Sequence, residues 1–194
     1  MDAKRLYHTI RLWMCPGAGK RGAYLRTHQV FKSVGVDFAY QGRVVPLYGK
    51  LIKVGNHVKV ASNVHFLTHD GIHLALKGDK EFLSGRLKNI RLDEGIGCIE
   101  VGNHVFIGAD SIIGYNVKIG DHVVVSAGSV VTSDIPSNSI VRGNPAKVMC
   151  SLTQFLEMKA AKASYPTEMD HQMGKYVSKE LEDWLWNDFD EKRK

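Results

Sequence analysis

Residues 101–136 read VGNHVF IGADSI IGYNVK IGDHVV VSAGSV VTSDIP, a run of six-residue units. The first place of each unit is Val101, Ile107, Ile113, Ile119, Val125 and Val131. The fifth is Val105, Ser111, Val117, Val123, Ser129 and Ile135. The second is small or hydroxylated throughout. Working upstream, YGKLIK, VGNHVK and VASNVH follow the same rule, led by Tyr48, Val54 and Val60. A period of six is too short for a helical repeat. Alternation of period two inside each six fits a short strand with one face inward. The first and fifth places then fill a core, and glycine is expected where the turn needs an unusual φ. Three such strands per coil make a triangular prism, stacked at the ~4.8 Å spacing of parallel strands. The pattern predicts a mainly β protein, a parallel β-helix with a protruding loop and C-terminal α-helices.

The repeat stops after Phe66 and resumes near Gly95. The stretch between, GIHLALKGDKEFLSGRLKNIRLDEG, is polar and charged. Solenoids place insertions in loops on their binding face. At its base lies NVHFLTHDGIH, residues 63–73, with His65, His69 and His73 four residues apart and Asp70 directly after His69. His57, His104 and His122 each hold the fourth place of a unit and are expected to face outward.

The segments LIKVGNHVKVASNVHFLTHDG and IEVGNHVFIGADSIIGYNVKIGDHVVVSAGSVVTSDIPSNSIVRGNPAKV resemble the hexapeptide-repeat acyltransferases. The likeness is to the galactoside, maltose and capsular-polysaccharide O-acetyltransferase branch. It covers roughly residues 41–149 and implies that the β-helix is left-handed. It also implies acetyl-CoA as co-substrate, a sugar or polysaccharide-precursor hydroxyl as acceptor, and a homotrimer whose active sites lie between chains. His69 matches the catalytic histidine, a few residues past SNV. Histidine suits the task because an alcohol needs a base and the leaving thiolate needs a proton. The resemblance further assigns coenzyme A contacts to Phe106, to the amides of Ala109 and Ala127, to Thr132, Ser133, Arg142 and Gly143, and to Lys147 as a phosphate charge. Asp70 is a candidate to orient His69 or meet the acceptor. His73, Gln41 and Arg43 are further acceptor-side candidates.

Two other readings compete. Zinc-dependent carbonic anhydrases share this fold, and His65, His69, His73 and His104 offer ligands. That family carries two ligands five residues apart in the second block, however, and Ala109 stands five after His104, so no metal is expected. A non-catalytic β-helix scaffold is the other, opposed by the intact closing motif and His69.

The rest of the chain sets bounds. Its 194 residues suit one domain with a small appendage. The expected division is a lead-in at 1–40, the β-helix at 41–149 with its loop at 71–94, and a helical extension at 150–194. DAKRLYHTIRLWM reads as a short helix. LTQFLEMKAAKA reads as another, with Ser151 and Gln154 as a capping box. A third is expected with Val177, Leu181, Trp184, Leu185 and Phe189 on one stripe. Net charge is +6 with a pI near 9.2. The basic residues are dispersed apart from KAAKAS and EKRK, which argues against a nucleic-acid groove. CPGAGKRG lacks the residues of a phosphate loop, since Met14 and Arg21 stand at its decisive places. No run approaches the ~18 apolar residues of a membrane span, and the N-terminus lacks the apolar core of a signal peptide. Cys15, Cys98 and Cys150 form no spaced motif, so a reduced, cytoplasmic protein is expected.

Overall fold

The computed structural model describes residues 2–160, 165, 166, 169, 171 and 176–194. The chain divides into two compact units, residues 1–152 and 153–194.

In the first unit the repeat becomes three flat faces of short strands. One face stacks Ser33–Val34, Ile52–Val54, Ile99–Val101 and Val117–Ile119, all parallel. The second stacks Ala39–Tyr40, Lys59–Val60, Phe106–Ile107, Val123–Val125 and Ser139–Gly143, closed by Ala146–Ser151 running antiparallel. The third stacks His65–Phe66, Ile112–Ile113 and Val130–Val131. Eighteen residues separate partners such as Val117 and Ile99, which is three sixes to a coil. Pairing already begins at Ser33 and Ala39, so the first coil lies inside the segment read as a lead-in.

Every first and fifth place from Val101 to Ile135 is buried. Between them the side chain turns out, as in Val117–Lys118–Ile119. Two fifth places are serines, Ser111 and Ser129, and both are fully buried. Their hydroxyls donate to the same carbonyl, that of Ser126, at 3.2 and 2.6 Å, so neither carries an unmet polar group into the core.

The turn chemistry differs from the expectation. Left-handed backbone falls at the fourth place, at His57, Asn63, His104, Asp110, Asn116 and His122, and of the repeat's glycines only at Gly128. Asn, Asp and His tolerate that region better than other side chains. The second-place glycines answer a different need. A Cβ on Gly55 would lie 2.5 Å from the carbonyl oxygen of Gly102, and one on Gly108 2.4 Å from the amide nitrogen of Ala127. Coil-to-coil closeness selects them. The outward fourth places also stack, with His57 and His104 rings 4.7 Å apart and His104 and His122 4.9 Å apart.

Tyr48 does not lead a coil. It is exposed, in left-handed backbone, and caps a 3-10 turn at Gly49–Leu51. The chain leaves the prism after Tyr40 to meet two N-terminal helices, α1 (Ala3–Met14) and α2 (Ala18–Thr27). Buried Arg21 of α2 locks that departure, donating to Tyr40 O, Cys15 O and Gln41 Oε1.

The loop leaves the third face and is pinched shut at its base. Asp70 N donates to Gly95 O at 2.9 Å, and Gly97 N to Thr68 O at 3.0 Å. The Asp70 carboxylate accepts from Tyr115 Oη at 2.7 Å and from Ile72 N at 3.1 Å. Ile72 opens a short helix, α3 (Ile72–Leu76). The Tyr115 hydroxyl, with help from the Ile72 amide, holds the Asp70 carboxyl below its ordinary range.

Helix α4 runs Leu152–Ala160, all but its first residue in the second unit, and α5 runs Lys179–Glu191. The remainder of the helix expected over LTQFLEMKAAKA, and most of KAAKAS, lie outside the described residues. Ser178 caps α5 by accepting from Leu181 N. Val177 precedes the helix, and of the expected stripe only Leu181 is buried.

Two outcomes follow from this packing. Gly108→Ala should destabilise the fold by about 1–3 kcal/mol, because the obstructing neighbour is backbone. Gly19→Ala, in open space on α2, should be neutral or stabilising by up to about 1 kcal/mol; urea melts of the two variants check both. At the loop base, a depressed carboxyl contributes stability that is present above its unfolded pKa and lost as pH falls through its folded one. Protease cleavage within 71–94 should therefore rise on acidification below the carboxylate range. Tyr115→Phe should raise it already at neutral pH, as timed digestion followed by mass spectrometry will read.

Candidate active site

His69 sits where the third face ends and the loop begins, in an isolated antiparallel bridge to Ile96. It is half-buried. Its ring meets the edge of Tyr48, with centroids 5.5 Å apart at 80°. Tyr48 is held in turn by Glu94, whose carboxylate accepts from its hydroxyl at 2.9 Å. Nδ1 of His69 is sealed from solvent and has no hydrogen-bond partner among the described residues. Nε2 is the nitrogen left to face a ligand.

The ring forms one wall of a cleft of about 560 Å³ between the third face and the N-terminal segment. Gln41 and Arg43 line the same cleft, so the acceptor-side candidates before the coil do converge on His69. Gln41 Oε1 is engaged by Arg21. Arg43 stacks over Trp13, 5.1 Å from the ring centre, and donates to Trp13 O. Trp13, Arg5 and Leu67 complete walls that motif reading did not single out.

Asp70 and His73 are not in the cleft. Both Asp70 oxygens are taken by the loop staple, and no hydrogen bond joins it to His69, so it does not orient the imidazole. His73 lies on α3, its Nδ1 likewise sealed and unpartnered among the described residues. Tyr48 and Tyr115 are the structural neighbours that sequence reasoning missed. Tyr115 had a signal: a large phenol in a third place that otherwise holds small or short polar residues.

The third place of each unit also decides whether a corner is closed. At one corner Val36 N donates to Asn56 Oδ1, Asn56 N to Asn103 Oδ1, Asn103 N to Asp121 Oδ1, and Asp121 N to Ser137 Oγ. Each polar side chain caps the amide one coil below. At the next corner the third places are Ser62, Ala109 and Ala127, stacked through Asp110 N to Ser62 O and Gly128 N to Ala109 O. Alanine cannot reach down. Among the described residues the amides of Ser62, Ala109 and Ala127 have no acceptor. Ser62 also lines the cleft of His69, so this row of open donors starts at that cleft and climbs the corner.

The other expected cofactor residues lie apart. Phe106 is 46% exposed on the second face. Thr132 and Ser133 are exposed at the far end of the third face. Arg142 and Lys147 face each other across the terminal hairpin, with Gly143 opposite Ala146 at its tip. None of these lines the cleft. Among the described residues no group of three or more His, Cys, Asp or Glu is arranged around a metal position.

Comparison with known proteins bears on this arrangement. The family described as bacterial transferase hexapeptide (six repeats) matches residues 99–133. Protein CapG of Staphylococcus aureus is 43% identical over 143 residues, covering 74% of this chain and 73% of CapG. The structure of a maltose O-acetyltransferase from Clostridium difficile 630 is 27% identical, with a TM-score of 0.50 over 76% of this chain and 85% of that one. A hexapeptide-repeat acetyltransferase from Vibrio cholerae O1 biovar eltor, solved with acetyl coenzyme A, is 21% identical. It aligns over 77% of this chain and 86% of its own with a TM-score of 0.55, a likeness of fold. The fold is the left-handed parallel β-helix, and with repeat, closing hairpin and relatives in agreement the chain belongs to the hexapeptide-repeat acyltransferase family.

Proposed function

We propose that the protein transfers an acetyl group from acetyl-CoA to a hydroxyl of a sugar or surface-polysaccharide precursor, with His69 as general base. The observation that carries this is the continuity of the His69 cleft with the open amides of Ser62, Ala109 and Ala127. A pantetheine arm is a chain of amide carbonyls and methylenes. It suits a row of backbone donors beside an apolar wall such as Phe106. Thr132, Ser133, Arg142, Gly143 and Lys147 belong in this reading to the adenine and phosphate end, where a hairpin cation supplies charge for phosphate. The likeness to the maltose O-acetyltransferase supports a sugar acceptor.

The chemistry needs little else. Nε2 of His69 takes the proton as the acceptor oxygen bonds to the thioester carbonyl carbon. The tetrahedral intermediate then collapses, the C–S bond breaks, and the imidazolium returns the proton to the thiolate. The products are an acetyl ester and coenzyme A. Gln41 and Arg43 stand where an acceptor enters. The terminal hairpin, with Arg142 and Lys147, does not line the His69 cleft of its own chain. That separation favours a homotrimer in which each site uses two chains. The reading places the protein in the cytoplasm, where acetyl-CoA is made available.

His69→Ala should lower turnover by about 10²–10⁴-fold and leave coenzyme A affinity unchanged by calorimetry, while His65→Ala does far less. The acceptor comes from a screen of nucleotide sugars, free sugars and aryl glycosides; transfer to amines alone refutes the O-acetyl reading. A second substitution tests the corner. Ala127→Asn should place a carboxamide oxygen on Ala109 N, as Asn103 does on Asn56 N. Coenzyme A should then bind more weakly by about 0.5–1.5 kcal/mol, up to about tenfold. Ala127→Gly, which leaves the amide open, should not weaken it.

A further inference from the structure

Helix α1 is amphipathic, but its apolar stripe does not face the body of the protein. The packed face carries His8 and Leu12, both buried. It is tied down by Arg5 Nε donating to Val45 O and by Val45 N donating to Thr9 Oγ1. The opposite side presents Leu6, Tyr7, Ile10, Trp13 and Met14, from 43% to 69% exposed. At 3.6 residues per turn these five fill one continuous arc of about 120°. Lys4 and Arg11 border the arc, and Arg43 lies over Trp13.

Charge is concentrated in the same place. Residues 1–28 hold Lys4, Arg5, Arg11, Lys20, Arg21 and Arg26 against Asp2 alone, a net +5 of the chain's +6. Of these, Lys4, Arg11, Lys20 and Arg26 are exposed. A second copy of the same helix would bring two such segments together against their repulsion. An anionic lipid surface answers both features. Leucine, isoleucine and methionine enter the acyl boundary, tryptophan and tyrosine suit the headgroup level, and the bordering cations meet lipid phosphates.

We propose that α1 is an in-plane anchor that docks this protein on an anionic bilayer. Trp13, at one edge of the stripe, is also a wall of the His69 cleft, together with Arg5 and Arg43. Docking through α1 therefore brings the cleft to the membrane surface. Resting on the function proposed above, the acceptor class it favours is a saccharide held at the bilayer by a lipid anchor.

The test is co-sedimentation of the full chain with vesicles, without acyl donor. Phosphatidylglycerol–phosphatidylcholine vesicles should carry the protein down, less so as salt is raised, and pure phosphatidylcholine should not. Leu6→Glu combined with Ile10→Glu should abolish sedimentation while leaving the light-scattering mass and coenzyme A affinity unchanged. Lys4→Glu with Arg11→Glu should weaken it and flatten the salt dependence. Absence of binding at low salt, or equal binding to both vesicle types, overturns the proposal. So does a fall in mass on Leu6→Glu/Ile10→Glu, which would make the stripe an interface between copies. Retained vesicle binding with no acetyl transfer to any saccharide would instead defeat the functional reading and leave the anchor standing.

Discussion

The structure depends on how closely one coil lies on the next. Parallel strands two or three residues long give each coil few hydrogen bonds, and these form only at backbone contact distance. That distance leaves no room for a side chain at the corner after each leading residue, which is why a Cβ on Gly55 or Gly108 would strike the coil above. Ala61 and Ser126 hold the equivalent place elsewhere, so the rule is smallness with local adjustment. Once the spacing is fixed, the inward places become a column of branched aliphatics. The third place becomes a switch, since asparagine or aspartate there reaches the amide below and alanine cannot. The same geometry therefore makes a sealed corner from Asn56, Asn103 and Asp121 and an open one from Ala109 and Ala127. A row of open donors arises by leaving out side chains.

How far this was legible in the sequence follows from how local each feature is. The inward places were readable because burial obeys a period, and every first and fifth place from Val101 to Ile135 is buried. Where the period was carried too far upstream it misled. Tyr48 fits the pattern by hydrophobicity, yet it lies beyond the point where Arg21 holds the chain off the prism. The glycines were visible but their reason was not. A left-handed turn and a close approach both select glycine, and only the stacking separates them; at the left-handed fourth places stand His, Asn and Asp, with glycine at Gly128.

The site was half legible for a similar reason. His69 marked itself by standing where the repeat breaks, and Gln41 and Arg43 by preceding the first clear coil. Their meeting in one cleft is tertiary. Asp70, next to His69 in sequence, invited a catalytic pairing that the backbone does not allow. Adjacent residues in extended chain point to opposite sides, and the Asp70 carboxylate turns to Tyr115, 45 positions onward. Tyr48 and Glu94 support His69 from residues that no motif connects to it.

These placements divide the labour around His69 between two rigid parts. A polar ring in a packed coil would be covered by the next coil, and His69 sits where stacking stops, at the mouth of the insertion. Here the mouth is fixed twice beside His69. Tyr115, rooted in the next coil, holds Asp70, and Glu94 on the returning arm of the loop holds Tyr48 beside the ring. Neither partner meets Nε2. The ring is thus steadied by its edge contact with Tyr48 and by its backbone neighbours. Position comes from the coil, access from the break in the repeat.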